Sequence, residues 1–279
     1  MPMKTKQKTS AWAVWLVVLT LLLGLGIQIS LGRRELRLSQ RRAEEAMAEL
    51  SVRLADTADD ARHRQEQRRQ QARARLLQSL EQRQEAFEAE ERALLLLVNP
   101  WNPLPEDFVP DTEAITAEYW VDFRCAEPLR QMLDDCRAAG NYPLLCSAFR
   151  TREDQQKLFD NKVYRLRLEG LSREEAPEIA AMSVARPGTS EHELGLAVDI
   201  IDETYLKLDQ GQERTGTQKW LMENCWRYGF ILRYPNGTTE QTGVIYEPWH
   251  YRYVGEEHAK AITELGVTLE EYLALRRGG

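Results

Sequence analysis

Residues 11–31 form a run of 21 positions without a charge, in which Thr20, Gln28 and Ser30 are the only clearly polar members. At about 1.5 Å per residue, a helix of this length spans a hydrocarbon core of roughly 30 Å. The run predicts a transmembrane anchor. A cleaved signal peptide is the competing reading, but it requires a shorter apolar stretch and a small-x-small site, and this run ends in bulky Ile29 and Leu31.

The pattern then changes. No Gly or Pro occurs between Gly32 and Pro100, and Arg, Glu, Gln, Ala and Leu fill the stretch. These are good helix formers, so one continuous helix reaching about 100 Å is predicted. Ala43, Met47, Leu50, Leu54 and Ala61 keep a heptad-like spacing, Arg64, Arg68 and Gln71 interrupt it, and Leu76, Leu80 and Phe87 partly resume it. A homodimeric coiled-coil stalk and a solvated single helix or charged linker both fit this broken seam. Either would hold the following domain away from a bilayer.

Prolines 100, 103 and 105 end the helix, and from there the periodicity is mixed. Residues 126–139 predict a helix stopping at Gly140, and 144–149 a short buried strand. Residues 152–168 predict a helix capped by Thr151 and ended near Gly170. Strands are expected over 194–201 and 249–254, a helix over 218–228 closed by Gly229, and short helices to the C-terminus. Strands separated by helices and irregular loops, without a regular βαβ rhythm, indicate an α+β domain with a small sheet.

Charge refines the picture. Residues 1–98 carry 17 Lys+Arg against 13 Asp+Glu, whereas residues 99–279 carry 20 against 31. An acidic C-terminal part without a basic stripe excludes nucleic acid as the expected partner, because neutralising phosphates needs clustered cations. Four cysteines, Cys125, Cys136, Cys146 and Cys225, lie beyond the anchor, and none forms a CxxC pair. Disulfides outside the cell fit this even number, with three connectivities open; four small buried thiols are the alternative.

The candidate chemistry sits in two short segments. In Ser190-Glu191-His192-Glu193-Leu194-Gly195-Leu196-Ala197-Val198-Asp199, an imidazole and a carboxylate lie seven positions apart with a glycine that allows a bend between them. In Glu247-Pro248-Trp249-His250, a carboxylate precedes an imidazole by three at a strand entrance. Two His and one Asp suit a single zinc ion with one position left for water, and a nearby unligated Glu can take a proton from water. Of the four histidines, His63 falls in the stalk and His258 in a polar helix, which leaves His192 and His250.

Together, SEHELGLAVDI and EPWHYRYVG resemble the two zinc motifs of the VanY-like D-alanyl-D-alanine carboxypeptidases, zinc metallopeptidases of bacterial cell walls. Cys146-Ser147-Ala148-Phe149-Arg150-Thr151 followed by Gln155 resembles a third motif, and Leu97-Val98-Asn99 with Leu104-Pro105-Glu106-Asp107-Phe108 the family's opening segment. The resemblance covers roughly residues 95–275. It implies His192, Asp199 and His250 as zinc ligands, Glu247 as catalytic base, Arg150 as the group that steadies the oxyanion and substrate carbonyl, and Gln155 and Ser190 near the substrate terminus. Ala148 and Phe149 stand where Gly and Tyr are more usual. A bland role for Arg150, a salt bridge to Glu153 or Asp154, stays open. The implied fold is the compact α+β fold shared with hedgehog-type signalling domains.

The implied activity is removal of the terminal D-alanine from peptidoglycan stem peptides. Such stems exist only outside the cytoplasmic membrane, so the resemblance implies a single-pass cell-membrane protein with an extracellular catalytic domain, although Arg33, Arg34, Arg37, Arg41 and Arg42 pull the other way. The expected organisation is a cytoplasmic tail over 1–10, an anchor over 11–31, a stalk over 32–94 and a zinc carboxypeptidase domain over 95–279. An L,D-carboxypeptidase acting on tetrapeptide stems, a phage-type endopeptidase and a non-catalytic zinc or partner-binding module on a stalk remain alternatives.

Overall fold

A computed structural model describes residues 11–278, so the expected tail over 1–10 lies outside the described residues. The chain divides into two units at Gln84/Glu85. Helix α1, Ala11–Leu94, runs through Gly32 without a break, as the absence of proline predicts. In the first unit its side chains are exposed on every face, including Trp15, Leu19 and Leu23 in the apolar run and Met47, Leu54 and Leu80 further on. This helix is long and apolar enough, near its N-terminus, to cross a membrane.

The second unit is an α+β assembly. In order it contains β1 (Thr112–Ala114), β2 (Trp120–Asp122), α2 (Phe123–Ala138), β3 (Pro143–Ser147), α3 (Arg152–Leu168), α4 (Glu175–Ala181) and β4 (Ala197–Asp202). There follow a 3-10 turn (Gln210–Arg214), α5 (Gly216–Asn224), a second 3-10 turn (Cys225–Tyr228), β5 (Phe230–Leu232), α6 (Thr239–Thr242), β6 (His250–Tyr253), α7 (Glu256–Leu265) and α8 (Leu269–Gly278). β1 and β2 make a small hairpin, and the other four strands form an antiparallel sheet in the order β3-β4-β6-β5. β4 and β6 are therefore central. All six residues of β4 are buried, which is why its sequence AVDIID is apolar on both faces apart from its two aspartates.

Helix α2 buries Cys125, Ala126, Leu129, Met132, Leu133 and Cys136, the spacing of one helical face. These join Val198, Ile200, Phe230 and Tyr251 in the main core. A second cluster packs Ala259, Ile262, Leu269 and Tyr272 of α7 and α8 against Ile231 and Val254. At about 1.5–3 kcal/mol per buried large aliphatic or aromatic side chain, the first cluster holds the central strands and the second ties α7 and α8 to β5 and the end of β6.

Several expectations need correction. The helix expected over 218–228 starts earlier, because Thr215 caps it by accepting from the Gln218 amide, and its last turn tightens into 3-10 geometry before Gly229 at φ +78°. Strands β1, β2 and β5 escape sequence reading because three residues are too few for an alternation to register. Pro177 disguises α4. His258, expected in a polar helix, is largely buried on α7, with Nδ1 2.9 Å from the Tyr272 hydroxyl and Nε2 3.2 Å from Glu91.

The disulfide expectation is overturned. All four cysteines are free thiols, three of them buried. Cys125, Cys136 and Cys225 serve as small core residues. Cys125 and Cys146 donate to the carbonyls of Asp122 and Asp199. Burial pushes the Cys136, Cys146 and Cys225 thiols up to about 12, which keeps them protonated.

Candidate active site

The register between β4 and β6 pairs Asp199 with His250, Val198 with Tyr251 and Ala197 with Arg252. Cross-strand partners share a face. Asp199 Oδ1 thus lies 3.0 Å from His250 Nδ1. His192 arrives from the turn that feeds β4, in which the amides of Glu193, Leu194 and Gly195 donate to the carbonyls of Ser190, Glu191 and His192. Gly195 ends this turn at φ +79°, and a Cβ there would come within 3.1 Å of the Asp122 amide nitrogen. Only glycine meets both demands. The turn is tied down further by donation from the Asp122 amide to the Gly195 carbonyl at 2.8 Å and from the Arg150 amide to the His192 carbonyl at 3.2 Å.

The His192 ring is oriented by Nδ1, 2.8 Å from the Ala148 carbonyl, which points Nε2 at Asp199 Oδ2 at 3.2 Å. One ligand atom from each of His192, Asp199 and His250 lies within 4.8 Å of the others, and all three side chains are buried. The residues fit a zinc ion on three counts. The donor set of two imidazoles and one carboxylate suits it. Ala148 holds His192 in the tautomer with a free Nε2. A buried carboxylate faces both imidazoles and calls for a cation between them.

The electrostatics agree. Burial, helped by the Arg150 cation, lowers His192 to about 4, so its ring is neutral and available as a donor at neutral pH. Burial acts on His250 in the same sense, but the Asp199 and Glu191 carboxylates beside it outweigh it and raise this ring to about 9. The surroundings of His250 therefore favour positive charge. Asp199 is held well below the usual carboxylate range, against its burial, by the two imidazoles.

Glu247 stands just before β6, buried, with Oε2 3.9 Å from His250 Nδ1. It lies outside the three-residue ligand group. Burial, partly opposed by His250, pushes its carboxyl up to about 8. A carboxylate there can take up and return a proton near neutrality.

These groups line one cleft of about 530 Å³, together with Arg150, Gln155, Ser190, Tyr234 and Trp249. Arg150 sits between β3 and α3, and its Nε is buried without a hydrogen-bond partner among the described residues. It does not bridge to Glu153 or Asp154; both of those pair with Lys157. Gln155 donates through Nε2 to the Ala185 carbonyl at 2.6 Å and leaves Oε1 buried and unpartnered. Ser190 is buried in the cleft lining. Trp249 is wall, and Tyr251 is core, its hydroxyl donating to Gln218 at 2.7 Å.

Glu191 and Glu193, the other acids of the first motif, are each engaged by arginine. Glu193 accepts from the Gly188 amide at 2.7 Å and from Arg152 at 3.2 Å. Glu191 Oε1 accepts from Arg233 at 2.7 Å and Arg252 at 3.0 Å, with both guanidiniums fully buried. Sequence reading missed these arginines. The available signal was Arg252 itself, a cation two positions after His250 on the same face of a strand otherwise built from aromatics.

A family model described as D-alanyl-D-alanine carboxypeptidase, VanY, matches residues 118–256, which include every one of the cleft residues named above. A D-alanyl-D-alanine carboxypeptidase of Enterococcus faecalis is 45% identical over 181 residues, 64% of this chain. The chain spans 65% of that relative's length. The crystal structure of the vancomycin resistance D,D-pentapeptidase VanY from a VanB-type cassette, with Zn(II), is 43% identical and superposes with a TM-score of 0.60 over 65% of this chain and 99% of that one. VanYB in complex with D-alanine-D-alanine is 44% identical, with a TM-score of 0.59 over 64% of this chain and 97% of that one. With the family model matched across the cleft residues and solved VanY structures 43–44% identical and almost fully covered, the chain belongs to the VanY family of D-alanyl-D-alanine carboxypeptidases.

Proposed function

We propose that the chain is a membrane-anchored zinc D,D-carboxypeptidase that removes the terminal D-alanine from peptidoglycan stem peptides. The observation that carries this reading is the buried His192, Asp199 and His250 cluster with Glu247 beside it but outside the ligand set. His192 Nε2, His250 Nδ1 and an Asp199 carboxylate oxygen would hold the zinc ion. Such an ion lowers the pKa of water and polarises a carbonyl group.

The chain's own residues supply the rest. Glu247 accepts a proton from the water that adds to the scissile carbonyl carbon, and its high proton affinity suits that task. Negative charge grows on the carbonyl oxygen. Arg150, with Nε unpaired in the cleft, stabilises that charge more in the transition state than in the ground state. When the carbon–nitrogen bond breaks, Glu247 returns the proton to the departing D-alanine amine. Gln155, whose buried Oε1 has no partner among the described residues, and Ser190 would meet the substrate's terminal residue.

The remaining parts of the reading concern place and assembly. Residues 11–31 serve as a single-pass anchor, with residues 1–10 inside and 95–279, a fold of the hedgehog type, outside. The apolar side chains of that run, exposed on all faces, suit a lipid environment. Residues 32–94 act as a stalk that pairs with a second copy through its heptad-like positions. Digestion of purified muropeptides by the full-length protein in detergent tests the activity: release of one D-alanine from pentapeptide stems supports it. Release from tetrapeptides only would make it an L,D-carboxypeptidase, and zinc binding without hydrolysis would make it a binding module.

A further inference from the structure

Three buried charged side chains, Glu191, Arg233 and Arg252, lie behind His250, and a half-buried fourth, Glu270, extends the row. Glu191 Oε1 receives Arg233 and Arg252, as described, so that only Oε2 remains, and among the described residues this oxygen has no hydrogen-bond partner. His250 Nε2 is likewise buried without one, and the two unpartnered atoms face each other at 3.5 Å. On the far side, Arg233 presents a two-pronged fork to Glu270 of α8, with Nη1 and Nη2 at 2.8 and 2.7 Å from its two carboxylate oxygens. Glu270 also accepts from Asn99 Nδ2 at 3.1 Å. Arg252 Nη2 donates to the carbonyls of Leu94 and Leu96.

This arrangement has direct chemical content. If His250 gives Nδ1 to a metal, its proton must sit on Nε2, where it requires an acceptor. Glu191 Oε2 is the acceptor within reach. A carboxylate so placed fixes the ring's rotation and makes Nδ1 a better donor. Glu191 can stay ionised in a dry interior only because two guanidiniums face it, and Arg233 keeps its orientation only because Glu270 holds the other end of the fork. Glu270 and Asn99 both lie outside residues 118–256.

We infer that Glu270 on the C-terminal helix is a positioning residue for the metal centre, acting through Arg233 and Glu191 on the ring of His250. The inference rests on the zinc reading of the site. α8 thereby completes the site from behind, without touching the cleft.

The test is a zinc-affinity titration of the full-length protein against a chromophoric chelator, paired with the visible spectrum of the cobalt-substituted form. Glu191→Gln strands two buried arginines and is expected to fold poorly, so the informative variant is Glu270→Gln, which keeps the side-chain shape. About 10-fold weaker zinc binding is expected, with a shifted cobalt spectrum. Arg276→Gln is the control: it also loosens α8, by removing an exposed 2.7 Å pair with Glu91, yet touches no member of the row. It should keep wild-type affinity and spectrum. Unchanged affinity and spectrum in Glu270→Gln, or equal losses in both variants, overturn the inference. A wild-type protein that binds no zinc would instead overturn the reading of the site.

Discussion

Asp199 and His250 are direct partners across the two central strands, with Oδ1 and Nδ1 3.0 Å apart although 51 residues separate them in the chain. The sheet, rather than any loop, sets their spacing. Two of the three candidate ligands therefore inherit the rigidity of the core, and the third is delivered by a turn whose shape Gly195 enforces.

The first expectation separates catalysis from metal binding. Glu247→Gln removes the proton acceptor and leaves the ligand group intact, so zinc per chain should match wild type while turnover falls about 10²–10⁴-fold. His192→Ala should lose metal and turnover together. Zinc content and released D-alanine, measured on the same preparations, check both; near wild-type turnover in Glu247→Gln would refute the assigned base.

Arg150 should behave differently from either. Among the described residues its guanidinium has no carboxylate partner to strand, so Arg150→Lys should fold and hold zinc, yet lose roughly 10²-fold or more in kcat as one oxyanion contact is displaced. A change confined to KM would instead assign Arg150 to ground-state binding.

Acid should release the metal. Protons and zinc compete for the same imidazole nitrogens. With His250 at about 9 and His192 at about 4 in the absence of zinc, apparent affinity should fall about tenfold per pH unit from pH 8 to pH 5, as one proton displaces the ion. The slope should steepen toward pH 4, where His192 also protonates. Competition titrations at stepped pH give the slope directly; a flat profile over pH 8 to 5 would be inconsistent with His250 as ligand.

Gly195→Ala forces a β-carbon into left-handed backbone at a cost of about 1–2 kcal/mol, and the 3.1 Å approach to the Asp122 amide adds to it. Urea denaturation should show the loss of stability, and zinc affinity should drop with it because the same turn carries His192. An unchanged midpoint would mean that the turn relaxes freely.

The thiols offer a check on the core. Without denaturant, Cys125, Cys136 and Cys225 should resist a thiol reagent and Cys146, half-buried, should react slowly, whereas all four should react in guanidinium. Reductant should leave the melting temperature unchanged. A fall in melting temperature with reductant would restore a disulfide.

The legible parts of this protein were those whose meaning is local. His192, Asp199, Glu247 and His250 each sit in a short motif, and α3 was readable to its ends because Thr151 caps it and Gly170 follows it. Arg233 and Glu270 were not legible, since each takes its role from a partner 37 or more residues away and a lone charged residue in sequence looks like surface. The cysteines misled for a related reason: an even count carries no distances, and the geometry that decides pairing belongs to the folded core.

The order β3-β4-β6-β5 also has a consequence for when the metal can be acquired. β6 is the last strand in the chain, yet it inserts between β4 and β5, so His250 reaches Asp199 only after nearly the whole domain has been made and the sheet has closed. Such non-local pairing forms late in folding. A nascent or still-threading chain offers isolated imidazoles and carboxylates but no three-point site. The ion is therefore captured by a finished domain, from the metal pool of whichever compartment folding ends in.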